Sequence, residues 1–382
     1  MLARMPLYFM FLMVLTSVWG CQSSSSPHHD DGAEGDTIQM AYARLLVLVQ
    51  HPQYTLAEVR NPWDSTRLLS RYVLVSRSAD CPDSLPEGIV LRVPLQRVVL
   101  GSAVHCALWS ELQAASSVVG ICDVPWLMSA WWKEAVRCGR VHDMGASYAP
   151  DAEQILSASC DAILLSPFES NGHGTVEKTG VPVVECADYM ETSPLGRAEW
   201  MRFYGRLLGC AGRADSLFTI VEQRYNSLAE TVRDVTERPT VMWDLLTPSG
   251  IWYQPGPSST MGRIVTDAGA HLPFSASQAN GSVPLTVEQV LSDAHDARFW
   301  LIRYGEAAPL TYTSLASAHA SYSRFDAWRH RHVWVCPLQE KPFFEQIPFH
   351  PERLLENLIH IFHPSVPLPE NSGEVWFQPL SR

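Results

Sequence analysis

The sequence predicts an α/β protein in which two Rossmann-like lobes with mostly parallel sheets are joined by a single long α-helix. Three observations support this prediction. Short apolar runs alternate with helical patterns, which is typical of a parallel sheet covered on both faces. A similar segment occurs once in each half of the chain. One helical pattern between the halves is long enough to connect two domains.

The repeated segment pairs a short helix with a buried strand. Glu153 begins E-Q-I-L-S-A-S-C-D-A and Glu288 begins E-Q-V-L-S-D-A-H-D-A. Each segment leads into an apolar run, at residues 163–165 in the first half and 299–302 in the second. The match favours two lobes of like design.

The connecting segment, residues 191–238, contains two helical patterns. In the first, Ser193 suits an N-cap, Pro194 suits the first helical position, and Gly209 ends the helix. The second runs from Ala214 to Pro239, with apolar residues at steps of four and three, and predicts a helix about 35 Å long. A helix of that length can link two lobes.

The remaining boundaries follow from changes in pattern. Residues 38–96 show strand-like runs at 45–49, 72–75 and 89–93 without helical periodicity, so we expect a β extension of the first lobe. The predicted strands of the first lobe, residues 97–190, lie at 97–100, 118–122, 163–165 and 181–184. In the second lobe, residues 239–366, strands are predicted at 240–243, 299–302 and 333–336, with a last helix at 351–362. Residues 367–382 are predicted to be a tail.

The N-terminus predicts export. Arg4 is the only charge before an apolar segment from Leu7 to Trp19, which is short for a membrane span and typical of a signal peptide. The sequence V-W-G-C resembles a bacterial lipobox, so residues 1–20 are predicted to be a lipoprotein signal peptide and Cys21 the lipidated residue. Residues 21–37 then form a polar linker. The alternative is an ordinary secretory signal followed by a chance cysteine.

Composition excludes several classes of function. The 382 residues are 46% hydrophobic and 18% charged, which describes a globular chain large enough for two cores. The net charge of −12, with no stretch that alternates basic and aromatic residues, argues against a nucleic-acid partner. Beyond Cys21 there are eight cysteines; their even number permits disulfides, and the absence of a C-x-x-C pair excludes zinc-ribbon and haem-attachment motifs.

The order of the motifs resembles that of the class III periplasmic binding proteins, the substrate-binding components of ABC importers for iron chelates, haem and cobalamin. The resemblance spans about residues 97–364 and rests on the succession A-P-D-A-E-Q-I-L-S, T-G-V-P-V-V, R-P-T-V, W-Y, V-E-Q-V-L and H-V-W-V. It implies a ligand held between two lobes, a rigid helical connection and little closure motion.

The same resemblance implies the partners and the location. An ABC permease and its ATPase are the expected protein partners, and Glu153 and Glu288 are expected to dock onto permease arginines. A Glu in the first helical turn is also favoured by the helix dipole alone. We expect a monomer without enzymatic activity, resident cofactor or protein-held metal, lipid-anchored in the cell envelope, in the periplasm of a Gram-negative bacterium.

The ligand site is predicted at the carboxyl ends of the parallel strands, where open α/β sheets bind their ligands. Aromatic residues with a few polar groups follow these strands, which suits a large and partly apolar ligand such as an iron chelate, haem or a corrinoid. The candidates are His105, Trp126, Phe168, Glu169 and Tyr189 in the first lobe, and Trp252, Tyr253, Ser259, Arg303, Tyr304 and Phe343 in the second.

Individual roles remain open at this level. His105 and Tyr189 could ligate iron, although a lone His after a strand is more often a hydrogen-bonded structural residue. Arg303 could pair with a carboxylate or phosphate of the ligand, or form a salt bridge at the rim of the cleft.

Three rival functions have weaker support in the sequence. A zinc- or manganese-type binding protein of an ABC importer gathers several His and a carboxylate in its cleft, whereas only His105 is well placed here. An exported lipid-anchored hydrolase has no support from a G-x-S-x-G, H-E-x-x-H or Walker motif. A purely structural lipoprotein does not require two matched lobes.

Overall fold

The computed structural model describes residues 35–169, 172–274, 279–368 and 374–381. It confirms a mixed α/β fold with two lobes, a helical connection and an N-terminal β extension. The predicted signal peptide, Cys21 and the linker up to residue 34 lie outside the described residues. Within the described ranges, no helix combines the length and the apolar character that a membrane span requires.

The β extension is a five-stranded sheet in the order β1-β2-β3-β4-β5, antiparallel except between β4 and β5. Its strands are β1 (Asp36–Ile38), β2 (Leu46–Gln50), β3 (Tyr54–Arg60), β4 (Leu68–Ser76) and β5 (Ile89–Val93). The sequence prediction missed β3, although its residues alternate between buried and half-buried positions as a strand with one covered face does.

The first lobe contains a sheet of five parallel strands in the order β12-β11-β6-β7-β8. Its elements are β6 (Val98–Leu100), α1 (Ala103–Glu111), β7 (Val118–Ile121), α2 (Ala130–Arg137), β8 (His142–Asp143), the small hairpin β9 (Gly145–Ala146) and β10 (Ala149–Pro150), α3 (Ala152–Ala158), β11 (Ala162–Leu165) and β12 (Val183–Glu185). The alternation of strands and helices is the one predicted from the sequence.

The β extension covers the edge of this sheet. The hydroxyl of Tyr72, in β4, donates to the Val183 carbonyl at 3.1 Å and accepts the Glu185 amide at 2.8 Å. Both groups belong to the edge strand β12. An exposed strand edge invites pairing with other chains, and Tyr72 occupies two of the backbone groups on this edge.

The connector comprises three helices, α4 (Pro194–Glu199), α5 (Met201–Leu207) and α6 (Ala211–Thr231). Ser193 caps α4 as predicted, with its hydroxyl accepting the Gly196 amide at 2.9 Å. The 21 residues of α6 span about 32 Å. This helix ends at Thr231 rather than near Pro239. The Thr231 hydroxyl donates back to the Leu228 carbonyl at 2.7 Å, and the β-branched residues that follow have low helix propensity.

The second lobe contains a four-stranded sheet in the order β13-β16-β17-β18, parallel except for the last pair. Its elements are β13 (Val241–Trp243), β14 (Trp252–Pro255), α7 (Thr260–Asp267), β15 (Ser282–Leu285), α8 (Val287–Ala294), β16 (Phe299–Tyr304), α9 (Tyr312–Ala318), α10 (Asp326–Arg329), β17 (Val333–Pro337), α11 (Phe343–Gln346), α12 (Pro351–Phe362) and β18 (Gln378–Pro379). Strands β14 and β15 form a separate hairpin. The segment predicted as a tail therefore contributes a strand.

The repeated sequence occupies equivalent positions in the two lobes. Helix α3 leads into β11 and helix α8 leads into β16, and each of these strands is interior in its sheet. The eight cysteines between Cys81 and Cys336 are all free thiols.

One hydrophobic core runs through both lobes. Alternate residues of each sheet point into it, including Leu100 and Leu164 in the first lobe and Trp243 and Leu301 in the second. The buried residues of α6 belong to the same core. Smaller cores cover the opposite faces of the two sheets. Each sheet is thus buried on both faces, as parallel sheets require.

Candidate functional site

A cleft with a cavity of about 240 Å³ separates the second lobe from the carboxyl edge of the first. Tyr189, Pro194 and Arg197 line one side. Ser259, Arg303, Phe343 and Phe344 are among the residues of the second lobe that line the other. The cavity therefore combines two arginines, one on each side, with aromatic surface.

Arg303 is fixed at the end of β16 by Asp244. Its Nε donates to Asp244 Oδ1 at 3.1 Å, its second terminal nitrogen to Oδ2, and its backbone amide to Oδ1 at 3.1 Å. Asp244 has a left-handed backbone, with φ of 53°, directly after β13. A strained residue at the end of a sheet strand is typical of a functional position.

Aromatic rings surround the Arg303 guanidinium. Its central carbon lies 5.7 Å from the ring centre of Trp243, 5.8 Å from that of Phe343 and 5.5 Å from that of Phe344. Burial disfavours the charge, but the Asp244 carboxylate outweighs burial and raises the pKa of Arg303. The side chain therefore presents a fixed cation to the cleft.

Arg197, in α4, is fixed in a similar way by Asp188. Its Nε donates to Asp188 Oδ2 at 3.1 Å. Burial alone raises the pKa of Asp188, but the hydrogen bond with His105 and the charge of Arg197 hold it below its ordinary value. In the described part of the chain, the two terminal nitrogens of Arg197 and one of Arg303 have no hydrogen-bond partner. These N–H groups remain available to an anion.

Four of the residues predicted from the sequence line this cavity: Tyr189, Ser259, Arg303 and Phe343. The Tyr189 hydroxyl donates to the Pro167 carbonyl at 2.8 Å, which holds the ring at the cleft. Burial and the neighbouring carboxylates raise the pKa of Tyr189. The Ser259 hydroxyl donates to the Gly256 carbonyl at 2.7 Å and caps α7 by accepting the Gly262 amide at 3.0 Å. Ser259 therefore shapes the loop at the cavity.

Five other predicted residues lie outside the lining of the cavity: Trp126, Phe168, Glu169, Tyr253 and Tyr304. Trp126 is 77% exposed and follows β7 on the surface of the first lobe. Its position at the carboxyl end of a strand agrees with the sequence argument, but the cavity does not extend to it.

His105 and Trp252 are buried, so we do not retain them as ligand contacts. His105 is 3% exposed and packs against Trp109, Tyr204 and Phe349. Trp252 is fully buried, and its indole Nε1 donates to the Trp243 carbonyl at 2.7 Å. At these exposures neither side chain has surface to offer a ligand in the cleft.

Directly beneath Arg197 lies a buried polar cluster. His105 Nε2 is 3.4 Å from Asp188 Oδ1 and 3.2 Å from the Tyr204 hydroxyl, which itself donates to Asp188 Oδ1 at 2.8 Å. Cys186 completes the cluster, and its burial raises the pKa of the thiol. His105 Nδ1 is buried without a hydrogen-bond partner in the described structure.

Sequence reasoning missed Arg197, Asp188 and Asp244. The first two lie in the stretch A-D-Y-M-E-T-S-P-L-G-R-A-E-W, which falls outside the general motif pattern. The one sequence feature that could have indicated Arg197 is the predicted start of α4 at Pro194, because the first turn of this helix lines the cleft.

Glu153 and Glu288 occupy matching positions away from the cleft. Each is the second residue of its helix, α3 or α8, and each is exposed. Asp151 caps α3 and Thr286 caps α8 with side-chain hydrogen bonds. The two carboxylates are therefore presented at equivalent points of the two lobes.

Comparison with known proteins gives a match to the periplasmic binding protein family over residues 98–340. An uncharacterized lipoprotein of Methanocaldococcus jannaschii is 22% identical over 283 residues, which cover 72% of this chain and 67% of that protein. A second uncharacterized lipoprotein of the same organism is 26% identical over 182 residues, 45% of this chain and 46% of its own length.

Solved structures share the fold. A periplasmic heme binding protein from Pseudomonas aeruginosa superposes with a TM-score of 0.58 at 17% identity, covering 75% of this chain and 99% of its own. An ABC-type Fe³⁺-hydroxamate transport protein from Saccharomonospora viridis superposes with a TM-score of 0.56 at 20% identity, covering 71% and 94%. The match to the family agrees with the resemblance found in the sequence.

Proposed function

The chain belongs to the periplasmic binding protein family, and on that premise we propose that it captures an anionic metal chelate in the cleft between its lobes. The ligand class is an iron complex, haem or a corrinoid, delivered to an ABC permease and its ATPase. Two observations from the comparisons support this class: similar structures include proteins described as binding heme and as transporting Fe³⁺-hydroxamate.

The observation that carries the proposal is the pair Arg197 and Arg303. They approach the cavity from opposite sides, each with a carboxylate behind it and free N–H groups in front. Arginine binds carboxylates and similar oxygen anions in a fixed, planar geometry. Phe343 and Phe344 add apolar surface beside the charges. The combination fits a ligand with acidic groups at its rim and an apolar body.

The size of the cavity limits how such a ligand is held. About 240 Å³ is small beside the range of about 300 to 1,000 Å³ that encloses drug-sized ligands. A chelate as large as haem therefore has its acidic edge between the two arginines and the remainder of its surface in the open cleft.

Titration of the full chain, purified in detergent, with haem, cyanocobalamin and a ferric siderophore tests this function, using visible absorption and calorimetry. We expect one of the three to bind with one-to-one stoichiometry. Arg197→Ala and Arg303→Ala should each weaken that binding at least about tenfold, since each removes one charge-assisted contact to the anion.

Arg263→Ala is the matched control. This arginine lies on α7, which lines the cleft, but its own side chain is 61% exposed and pairs with Asp267. Unchanged affinity of both cleft variants would contradict the anion-binding role of the arginines. If none of the three chelates binds, and zinc or manganese binds in a way that Cys186→Ser leaves unchanged, the protein would be assigned to the metal-ion class.

We also propose that Glu153 and Glu288 dock onto the permease. Their matching exposed positions on the two lobes support this role. Replacing both by Gln should abolish uptake of the ligand in cells and leave the affinity of the purified protein unchanged, because both residues lie outside the cleft. Glu230→Gln with Glu340→Gln, two exposed carboxylates elsewhere, is the control. Loss of ligand affinity in the Glu153 and Glu288 variant would refute the docking role.

The cellular location of the protein is also inferred from its family membership. Family membership and the lipoprotein relatives support an extracytoplasmic protein associated with the cell envelope. We propose anchoring through a lipid on Cys21. The two lipoprotein relatives come from an archaeon, so the prediction of a Gram-negative periplasm stays a prediction.

A further inference from the structure

We propose that His105, Cys186 and Asp188 form a binding site for a resident Zn²⁺ ion beneath the cleft. The site is distinct from the cleft itself, since none of the three side chains lines the cavity. All three are buried, at 3%, 0% and 2% exposure.

The donor atoms have the chemistry and the spacing of a zinc site. An imidazole nitrogen, a thiolate and a carboxylate oxygen are the three kinds of ligand that Zn²⁺ uses in proteins. One such atom from each residue lies within 4.8 Å of the others. His105 Nε2 and Asp188 Oδ1 are 3.4 Å apart, and ordinary Zn–N and Zn–O bond lengths place two tetrahedral ligands about 3.4 Å apart.

The sulfur needs only a small movement. Tetrahedral geometry places a thiolate about 3.6 Å from a nitrogen or oxygen ligand, so Cys186 has to approach by at most about 1.2 Å. The cysteine binds as thiolate, and its proton is released to solvent. The Tyr204 hydroxyl lies 3.2 Å from His105 Nε2 and donates to Asp188 Oδ1, so it belongs to the outer shell of the site.

The surroundings resemble the outer shell of a metal site. Arg197 donates to the Asp188 oxygen that faces away from the cluster, and Tyr204 donates to the oxygen that faces it. Such hydrogen bonds orient a ligating carboxylate. Nε2 is the ring nitrogen of His105 that faces Asp188 and Tyr204, so it is the nitrogen that would bind the ion.

The fold brings the ligands together at one edge. His105 lies in the first turns of α1, and Cys186 and Asp188 directly follow β12, so all three stand at the carboxyl edge of the first sheet. Phe349 of the second lobe packs on the His105 ring. Zinc at this position would hold the edge of the first lobe rigid under the Arg197 side of the cleft.

The test measures metal bound to the full chain, purified in detergent and first stripped with a chelator. We expect one equivalent of Zn²⁺ by elemental analysis, and one equivalent of Co²⁺ that gives a thiolate-to-cobalt charge-transfer band. Cys186→Ser should abolish the band, and His105→Gln should weaken Zn²⁺ binding more than about tenfold. Cys122→Ser is the matched control, because Cys122 is also buried and follows a strand of the same sheet.

X-ray absorption of the zinc-loaded unmodified chain covers the case in which a variant does not fold: one sulfur in the coordination shell is expected. Absence of sulfur, retention of the cobalt band in Cys186→Ser, or no Zn²⁺ above background would overturn the site and leave a hydrogen-bonded cluster. Chelate binding in the cleft is measured independently. If the protein binds zinc but no chelate, the proposed function is refuted and this site stands. If it binds a chelate but no zinc, this site is refuted and the proposed function stands.

Discussion

Glu199 shows how a single buried side chain can position a whole segment. Its carboxylate is fully buried and accepts the backbone amides of Ala41, Tyr42 and Ala43 at 3.0, 2.8 and 2.9 Å. Arg202 pairs with the same carboxylate at 3.2 Å. The start of the β extension is thus attached to α4 of the connector.

Glu199→Ala should lower the free energy of unfolding by about 3 kcal/mol, because three backbone amides lose a charged acceptor and Arg202 loses a partner. Denaturant unfolding measures this change. Glu230→Ala is the control, since Glu230 forms an exposed pair with Arg233 that contributes less than about 1 kcal/mol. Equal effects of the two substitutions would contradict an anchoring role for Glu199.

The connector helix α6 has one buried face and one exposed face. Val221, Tyr225 and Leu228, which the apolar pattern selected, are buried, whereas Leu217, also in the pattern, is half-buried and its neighbour Phe218 is buried instead. Ile220, on the same helix, is 62% exposed. Apolar periodicity therefore identified the packed face of the helix correctly.

Leu228→Ala should destabilise the protein by about 3 kcal/mol, because it removes apolar contacts and leaves a cavity in the core shared by both lobes. Ile220→Ala removes a side chain of similar size from the exposed face and should change stability by less than about 0.5 kcal/mol. The comparison is made by denaturant unfolding. Similar losses at both positions would mean that α6 does not hold the lobes together through this face.

The elements were predictable where local pattern decides them. The last helix, Pro351–Phe362, has the predicted boundaries, and the repeated E-Q-[IV]-L-S segments are helices that feed interior strands. Strand β3 was missed because it contains Thr55, Glu58 and Arg60 among its apolar residues. The early end of α6 reflects side-chain competition at Thr231, which periodicity does not register.

The cleft was less predictable because it depends on packing between distant segments. Position after a strand selected Arg303 and Tyr189, which line the cavity, yet it also selected Trp252, which tertiary packing buries. Asp188 fixes Arg197 at the cleft, and no local sequence pattern indicates that contact. Position in the sequence identified candidate residues, and side-chain packing determines which of them line the cavity.

The two lobes also meet on the side of α6, through a buried histidine. His350, at the start of α12, places Nε2 2.7 Å from Glu111 of the first lobe and Nδ1 2.9 Å from Glu352 of its own. Arg353 is the nearby cation, 3.7 Å from Glu352. Burial opposes protonation of His350, but the two carboxylates raise its pKa to about 9. The pair therefore links the lobes while His350 is charged.

This linkage makes the stability of the whole molecule depend on pH. An unfolded histidine has a pKa of about 6.5, so the stabilisation by His350 is complete below that pH and is lost as the pH rises through about 9. The melting temperature of the unmodified chain should fall between pH 7 and 10 by more than that of His350→Gln, which keeps no titrating charge. His330→Gln, at an exposed histidine of the same lobe, should follow the unmodified chain. Parallel pH profiles for the unmodified chain and His350→Gln would show that the lobes are held by their common apolar core without this ion pair.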